Sequence, residues 1–470
     1  MALSRLEHVL SYYVRLLLPQ LLSPKSSHRL AYVFSLVSAI SSGFIALISL
    51  YAKPWQDHLH YSAWQINMIV SVANLGVYLV PPILGICADA HGPITLSTLA
   101  MLGFIPSYTC LAYLFNHPDI STDCSFHVSL VCFALVGIST SALFFSALLT
   151  CAKLYPDTKL FSISLPTTCF GLSSFLASQV LRLPLFWNER HGYMDLGKVF
   201  GTFAYVYGAV GILAWVATAR VSMMQSGIEN CHPGSDSNDD GELEPLLQSQ
   251  ASLPADQRKL FTDVATYLLA VSLFLVLGPL EMLLGNMGSL SNLVYRDSPT
   301  VSSELVSLYA FSSTVARLAT GVAADWFALK NWSTKWILMV FLSLGLALQL
   351  GILSLVFNPP TENTWRMLSL GGLLGIVYGG LFTIYPTIIF IVWGEKLFGT
   401  AYGSMMVAPA LGSLLSCMIY ARVYDSTCAI KNAGSSCIAP VFKFCTGQIL
   451  CSIVLTIFLL HIWKRRKVNL

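Results

Sequence analysis

Three features of the sequence predict an all-α membrane protein in which twelve transmembrane helices form two six-helix halves. Charged residues make up only 10% of the 470 residues and hydrophobic residues 55%, whereas a soluble domain carries roughly 25% charged residues. Twelve stretches are long and apolar enough to span a hydrocarbon core, which takes about 20 helical residues. Short motifs also recur in both parts of the chain. The near-neutral net charge of +3 offers no basic face for nucleic acid.

The predicted spans alternate with short polar segments whose positive charges predict the orientation. If the N-terminus is cytosolic, the cytosolic segments hold most of the Lys and Arg residues, which is the usual bias in membrane proteins. Both termini are then cytosolic, and the sequon at 331–333 is predicted to stay unglycosylated. The spans are predicted at 30–51, 66–87, 94–115, 127–151, 161–186, 199–219, 264–285, 303–327, 336–357, 367–393, 397–420 and 441–463.

Residues 1–29 precede the first span and have a helical pattern of their own. Apolar residues recur at helical spacing from Leu3 to Leu18, while Arg5 and Arg15 lie elsewhere. One interpretation is an amphipathic helix that lies on the cytosolic leaflet. The alternative is an N-terminal helix that packs on the protein.

A polar segment at 221–262 separates the spans into two groups of six. Its acidic, turn-rich composition predicts a disordered cytosolic linker. The predicted domains are therefore a cytosolic N-terminal segment at 1–29, six-helix halves at 30–220 and 263–463, the linker between them, and a basic cytosolic tail at 464–470.

Two motifs repeat between these halves. The string GICAD at 85–89 ends the second span, and GVAAD at 321–325 ends the eighth. The triplet KLF opens the fifth span at 159–161 and the eleventh at 396–398. Both pairs have nearly the same separation, which indicates a tandem of two related halves. Parallel repeats of this kind place a substrate path where the halves meet, near the bilayer midplane.

The loop after the second span resembles the signature of the major facilitator superfamily. Gly85, Asp89 and Gly92 match its Gly-x-x-x-Asp-x-x-Gly pattern, although the basic residue that usually follows is absent. Gly321 and Asp325 repeat the beginning of the pattern in the second half. Glycine permits close helix packing, and an Asp at a helix end can bind a partner helix that moves between states. The resemblance implies a major facilitator fold, and it implies that these five residues act in gating.

Further segments resemble the fungal branch of this superfamily known as the monocarboxylate transporter homologues. That resemblance implies a secondary transporter in the vacuolar membrane, and the branch name records a likeness to carboxylate carriers. Neither an ATP-binding loop nor a catalytic constellation is recognisable, so we expect no enzyme. The segments lie at 61–67, 74–78, 81–85, 278–288, 317–325, 393–399 and 420–425.

Arg317 is the residue best suited to bind a substrate. It lies about 12 Å along the predicted helix from Asp325, well inside the hydrocarbon, where a charge is costly and faces a cavity or a partner. A guanidinium binds a carboxylate through two hydrogen bonds, so Arg317 suits an organic anion. Its surroundings also resemble the eighth-helix arginine motif of true monocarboxylate transporters. The alternative is a structural ion pair with Glu281.

Glu281 and Asn286 lie near the far end of the seventh span and are candidates for substrate binding. A half-buried carboxylate such as Glu281 is able to carry a proton, and the alternative is a polar residue that faces the lumen. The resemblance to proton-coupled carriers is incomplete here. Their first-helix lysine has no counterpart in the first span, and Ser313 replaces their acidic residue. Apart from a coupled proton we predict no cofactor.

Other polar and small residues lie on the central spans. Tyr78 and Tyr378 are predicted either to line the substrate cavity or to form interhelical hydrogen bonds. Gly371, Gly375 and Gly379 recur every four residues in the tenth span, which favours close helix packing.

Two lumenal loops contain residues with other chemistry. Asp57, His58 and His60 lie together in the first loop, but no fourth ligand follows at ordered spacing, so we predict no metal site. Cys428 and Cys437 lie in the last loop, and the sequence leaves their pairing open.

The linker contains a string that resembles an acidic dileucine sorting signal. It consists of Glu242 followed by Leu246 and Leu247, the kind of signal that adaptor proteins read for vacuolar or lysosomal delivery. Such strings also occur by chance, and that alternative stays open.

These observations favour a monomeric secondary-active transporter of a small solute, an organic anion such as a monocarboxylate, in the vacuolar membrane. It would work by alternating access, with the substrate and membrane lipid as its main partners. The alternative is a transporter-like sensor or partner-binding membrane protein that moves no solute.

Overall fold

A computed structural model describes the protein over most of its length. The described residues are 5–21, 23–44, 58–59, 61, 63–117, 119–154, 159–181, 183–188, 193–230, 256–295, 299–330, 332–359, 364–428 and 435–466. Glu242, Leu246 and Leu247 of the sorting string, together with the central part of the predicted linker, lie outside them.

Nearly all of the described residues are helical. The helices are α1 (Arg5–Leu21), α2 (Pro24–Ser42), α3 (Ala63–Leu79), α4 (Pro81–His91), α5 (Pro93–Asn116), α6 (Thr122–Leu154), α7 (Lys159–Leu181), α8 (Leu196–Asn230), α9 (Val264–Gly285), α10 (Met287–Tyr295), α11 (Pro299–Leu329), α12 (Lys335–Phe357), α13 (Trp365–Met405), α14 (Val407–Val423) and α15 (Ala439–Arg465). Between α7 and α8, the short strands β1 (Trp187–Asn188) and β2 (Tyr193–Met194) pair in antiparallel register.

Each predicted span overlaps one of these helices. Within the described residues, eight helices are long and apolar enough to cross a membrane, and one of them, Trp365–Cys428, covers both the tenth and the eleventh predicted span. The first, fifth and eighth predicted spans overlap α2, α7 and α11, the first of them only over 30–42. These three helices are not among the eight.

A proline interrupts the second span, and a glycine separates two later spans. The second span consists of α3 and α4, which meet at Pro81, since proline has no amide hydrogen to donate within a continuous helix. Gly394 breaks α13 with φ 74° and ψ 177°, a conformation that glycine adopts without strain. The second break separates the tenth predicted span from the eleventh.

The chain forms two compact units. The first comprises the described residues of Met1–Asp157, Cys169–Lys259 and Glu395–Ser404, and the second comprises those of Thr158–Thr168, Leu260–Gly394 and Met405–Leu470. Each unit therefore contains most of one predicted half and a short stretch of the other. The two exchanged stretches are the ones in which the KLF triplets stand.

In the first unit, aromatic rings pack between α5 and α8. The ring centroid of Tyr207 lies 3.8 Å from that of Phe104 and 5.3 Å from that of Tyr108. The Tyr207 hydroxyl donates a 2.8 Å hydrogen bond to the carbonyl of Ser41 on α2. The polar end of this buried tyrosine thus has a partner, and three helices are joined.

In the second unit, small residues let α9 approach α14 and α15 closely. A Cβ on Gly278 would meet the backbone of Gly412, so α9 and α14 touch through their main chains. The Ser272 hydroxyl lies 2.9 Å from that of Ser452 and 2.9 Å from that of Thr456. Hydrogen bonds between hydroxyls thus connect α9 to α15.

The N-terminal helix α1 packs on the first unit by one face. Ser222 of α8 donates a 2.6 Å hydrogen bond to the buried carboxylate of Glu7, and the Trp215 indole donates to the carbonyl of Leu10. The structure therefore shows the packed helix of the second interpretation, with an apolar face on its outer side. That outer face exposes Leu6, Val9, Tyr12, Tyr13 and Leu16.

A disulfide joins Cys428 and Cys437 in the segment between α14 and α15. Close to it, the Ser435 hydroxyl donates a 2.9 Å hydrogen bond to the carbonyl of Val356, at the end of α12. The pairing that the sequence leaves open is therefore present.

Candidate transport site and signature loop

Arg317 lies on α11 within the second unit and is only 6% exposed. Its Nη1 donates a 2.7 Å hydrogen bond to the carbonyl of Thr167, in the part of α7 that belongs to this unit. Its Nε is buried without a hydrogen-bond partner among the described residues. None of the salt bridges between described residues includes Arg317, so no carboxylate of this part of the chain is bound directly to the guanidinium.

Aromatic rings face the guanidinium. Its Cζ atom lies 5.7 Å from the ring centroid of Phe382, which is within the range of a cation–π interaction. The Phe382 ring lies 4.5 Å from that of Tyr378, which lies 5.7 Å from that of Tyr309. The cation is thus next to a continuous row of rings supplied by α11 and α13.

Glu281 lies on α9 at the far side of these rings. The Tyr378 hydroxyl donates to Glu281 Oε1 at 3.5 Å, and Ser413 of α14 forms a second side-chain hydrogen bond with the carboxylate. Tyr378 therefore links the acid, through its hydroxyl, to the arginine, through the Phe382 ring. We call Glu281, Tyr309, Arg317, Tyr378 and Phe382 the Arg317–Glu281 cluster.

Two glycines of α13 allow this cluster to form. A Cβ on Gly375 or on Gly379 would collide with the α11 backbone around Ser313. The backbones of α11 and α13 can come this close only because glycine has no side chain, as is usual for close helix packing in membranes. The glycines thus bring Tyr378 within reach of α9 and α11, which is the packing role that their spacing predicts.

Asn286 and Tyr78 take other positions. The Asn286 amide donates to the carbonyl of Met282 at 2.8 Å and ends α9. Tyr78 is half-buried on α3, in the first unit. Asn286 is thus not a member of the Arg317–Glu281 cluster.

Asp89 of the signature binds the exchanged stretch that belongs to the first unit. Its carboxylate accepts hydrogen bonds from the Gly399 amide at 3.2 Å, the Thr400 amide at 2.6 Å and the Thr400 hydroxyl at 2.7 Å. Lys153 is close enough to interact electrostatically with the same carboxylate. The signature acid thus holds the segment that follows Gly394.

The signature glycines are required by close contacts. A Cβ on Gly85 would overlap the carbonyl oxygen of Gly399, so α4 passes this segment with backbone touching backbone. Gly92 has φ 75°, which favours glycine, and a Cβ there would also meet the Glu7 carboxylate. The loop is therefore packed tightly on two sides.

The corresponding residues of the second half lie at the end of α11. Gly321 is buried and Asp325 is half-buried. Of the first-loop residues Asp57, His58 and His60, for which the sequence predicts no metal site, His58 is described, and its Nε2 lies 3.1 Å from the carbonyl of Phe115. No group of three potential metal ligands occurs within the described residues.

Sequence reasoning misses Tyr309, Phe382 and Ser413 of the Arg317–Glu281 surroundings, as well as Thr167 and Thr400. Thr400 stands two residues after the second KLF triplet, so the repeat itself pointed to its segment. Phe382 lies one helical turn after Tyr378 and thus on the same face. Thr167 contributes only its backbone carbonyl, for which a sequence holds no signal.

Comparison with known proteins agrees with this architecture. A family model described as the Major Facilitator Superfamily matches residues 31–416. The protein named Probable transporter MCH1 of Saccharomyces cerevisiae is 52% identical over 490 aligned residues and covers 100% of both chains. Its namesake from Candida glabrata is 50% identical, also over 100% of both chains. The proton:xylose symporter XylE matches with a TM-score of 0.66 and 12% identity, over 92% of this chain and 95% of its own.

The chain belongs to the major facilitator superfamily. It is a multi-pass membrane protein of the transporter class and not an enzyme, since its family and its named relatives are transporters. The predicted fold class is confirmed. The resemblance to the monocarboxylate transporter homologues is confirmed as well.

Proposed function

We propose that the protein is a secondary-active transporter of a small organic anion, such as a monocarboxylate, and that it works by alternating access. Arg317 carries this proposal. It is a buried guanidinium with one hydrogen bond to a backbone carbonyl and no salt bridge among the described residues. Its planar set of N–H donors matches the two oxygens of a carboxylate.

The energetics favour an anionic substrate over a purely structural role. A buried cation without a paired anion costs several kcal/mol. The Phe382 ring, 5.7 Å away, offsets about 2 kcal/mol of this. A substrate carboxylate would supply the remaining stabilisation of the guanidinium, and only while the substrate is bound.

Glu281 is the proposed proton carrier. It shares the cluster with Arg317 but is bound by hydroxyl groups, those of Tyr378 and Ser413, and not by a cation. If an anion at Arg317 and a proton at Glu281 cross together, no net charge moves against the membrane potential. The carrier would then need no cofactor other than the proton.

The proposed location is the vacuolar membrane, with both termini in the cytosol. The Cys428–Cys437 bridge supports this orientation, because disulfides form in oxidising compartments and the charge bias puts that segment on the lumenal side. We expect the change of Leu246 and Leu247 to Ala to redirect the protein to the cell surface by removing the adaptor signal. Unchanged vacuolar rim fluorescence, equal to that of the control Leu253→Ala, would refute the signal.

Uptake into sealed proteoliposomes tests the transport proposal. Mono- and dicarboxylates, amino acids and sugars would be offered with and without an imposed pH gradient, to wild type, Arg317→Gln and the exposed control Arg366→Gln. We expect carboxylate uptake in wild type and in the control, and its loss in Arg317→Gln.

Two other results would change the proposal. Uptake of an uncharged solute that is indifferent to Arg317→Gln would make the arginine structural and refute the anion assignment. Saturable binding of a solute without any flux would favour the sensor alternative.

A further inference from the structure

A cluster of aromatic and basic side chains lies where α11 ends and α12 begins. Lys330 Nζ lies 4.3 Å from the ring centroid of Trp326 and 5.5 Å from that of Trp332. Lys335 Nζ lies 6.0 Å from the ring of Trp336. We call these five residues the Trp–Lys cluster. All three tryptophans are exposed.

The lysines of this cluster keep their charges available. Among the described residues neither Lys330 nor Lys335 forms a salt bridge. Cation–π contacts hold the ammonium groups in place without neutralising them.

An apolar groove runs along α11 from the same point. Small residues form its floor at Ala319 and Ala323, because they stand one turn apart between larger side chains. The groove is an open surface depression with a volume of about 560 Å³. From Val315 to Trp326 it extends about 16 Å along the helix, close to the ~15 Å depth of one leaflet of the hydrocarbon core. Its lining consists of Val315, Leu318, Ala319, Val322, Ala323 and Trp326.

The groove and the cluster adjoin each other. Trp326 closes the groove, and its ring lies 5.2 Å from that of Trp332. Trp332 in turn lines a second cavity of about 500 Å³, together with Phe327, Ser333 and Trp336. A ligand with an apolar chain and an anionic head could therefore place its chain in the groove and its head at the lysines.

We propose that this surface binds one anionic phospholipid, with an acyl chain in the α11 groove and its phosphate at Lys330 and Lys335. The groove belongs to a predicted membrane-spanning helix, so lipid acyl chains surround it in the bilayer. Tryptophan prefers the interface between hydrocarbon and water, which puts the Trp–Lys cluster at headgroup depth. Two unneutralised lysines select an anionic head over a zwitterionic one. The proposal does not depend on the transported substrate.

Native mass spectrometry of the detergent-purified full chain tests this site. The protein would be offered equal amounts of phosphatidylinositol and phosphatidylcholine with identical acyl chains. The ratio of the two bound forms would be read from the same folded population. We expect wild type to prefer phosphatidylinositol, and each of Lys330→Gln and Lys335→Gln to lower that preference about fivefold. Lys443→Gln is the matched control, since Lys443 lies over the ring of Phe357 outside the groove.

A second variant examines the groove independently of charge. Ala323→Leu fills the floor of the groove and should reduce binding of both lipids, while their ratio is retained. Equal ratios in wild type and in the lysine variants would overturn the proposal. An equal loss in Lys443→Gln, or undiminished lipid binding in Ala323→Leu, would overturn it as well.

Discussion

The carboxylate of Asp89 and the backbone amide of Thr400 are joined by a 2.6 Å hydrogen bond, although 311 positions separate them in the sequence. The Thr400 hydroxyl and the Gly399 amide donate to the same carboxylate. Three donors on one ionised acceptor make a strong anchor, because hydrogen bonds to charged groups stabilise more than neutral ones. The signature acid therefore fixes the start of the chain segment that follows Gly394.

Asp89→Ala should remove this anchor. Loss of a hydrogen-bonded charged acceptor costs on the order of 2 kcal/mol, so we expect a lower midpoint in thermal unfolding of the detergent-purified protein. The exposed Asp123→Ala serves as the control, since the contact of Asp123 with His127 uses its backbone carbonyl, which alanine retains. Equal midpoints for the two variants would show that the anchor contributes nothing to stability.

The backbone contact beneath this anchor gives an independent prediction. In Gly85→Ala the new methyl group would overlap the Gly399 carbonyl, and overpacking of this kind costs about 1–3 kcal/mol. Gly201→Ala is the matched control, since a Cβ at Gly201 meets nothing within 4 Å. It should stabilise helix α8 by up to about 1 kcal/mol. The midpoint of thermal unfolding should thus fall in Gly85→Ala and rise slightly in Gly201→Ala. A shift of both midpoints in the same direction would contradict the close contact between Gly85 and Gly399.

The pattern of the sequence predicts the fold more fully than the site. Span positions follow from apolar length, and Val264–Gly285 agrees to the residue with its helix, because the bilayer imposes a minimum length on every span. The exchange of 158–168 and 395–404 between the units is not predictable in the same way. It depends on packing between segments far apart in the chain, and only the repeated KLF triplets mark the places.

The candidate transport site is likewise predictable only in part. A charge within an apolar stretch stands out, so Arg317 and Glu281 are recognisable as functional candidates. Their partners are not, because sequence offers no rule for a backbone carbonyl such as that of Thr167 or for a ring such as that of Phe382. Tyr378 also connects the surroundings of the two charges, and such a relation is visible only in three dimensions.

Glu281→Gln tests the proposed proton carrier. A glutamine keeps the hydrogen bonds to Tyr378 and Ser413 but cannot release a proton, so accumulation driven by a pH gradient should disappear. Exchange of labelled for unlabelled substrate should continue, because exchange requires no net proton movement. Glu304→Gln, an exposed acid of α11, is the control and should behave as wild type. Undiminished pH-driven accumulation in Glu281→Gln would rule out this residue as the carrier.

The disulfide gives a prediction for stability. Cys437→Ser opens the short loop closed by Cys428 and should cost about 2–3 kcal/mol, measured as a lower unfolding midpoint without reductant. Cys124→Ser changes an exposed free thiol and should leave the midpoint unchanged. With reductant present, wild type should fall to the level of Cys437→Ser. A reductant-insensitive wild-type midpoint would contradict the bridge.

The central claim is that Arg317 binds the carboxylate of the substrate. Counterflow in proteoliposomes, with the transported carboxylate and its neutral amide as competing inhibitors, tests this claim most directly because it needs no driving gradient. Loss of one partner of a buried charge pair weakens binding by at least about thirtyfold. Arg317→Gln should therefore lose that factor in affinity for the carboxylate while its weak affinity for the amide stays the same. Equal changes for carboxylate and amide, or none for either, would contradict the account.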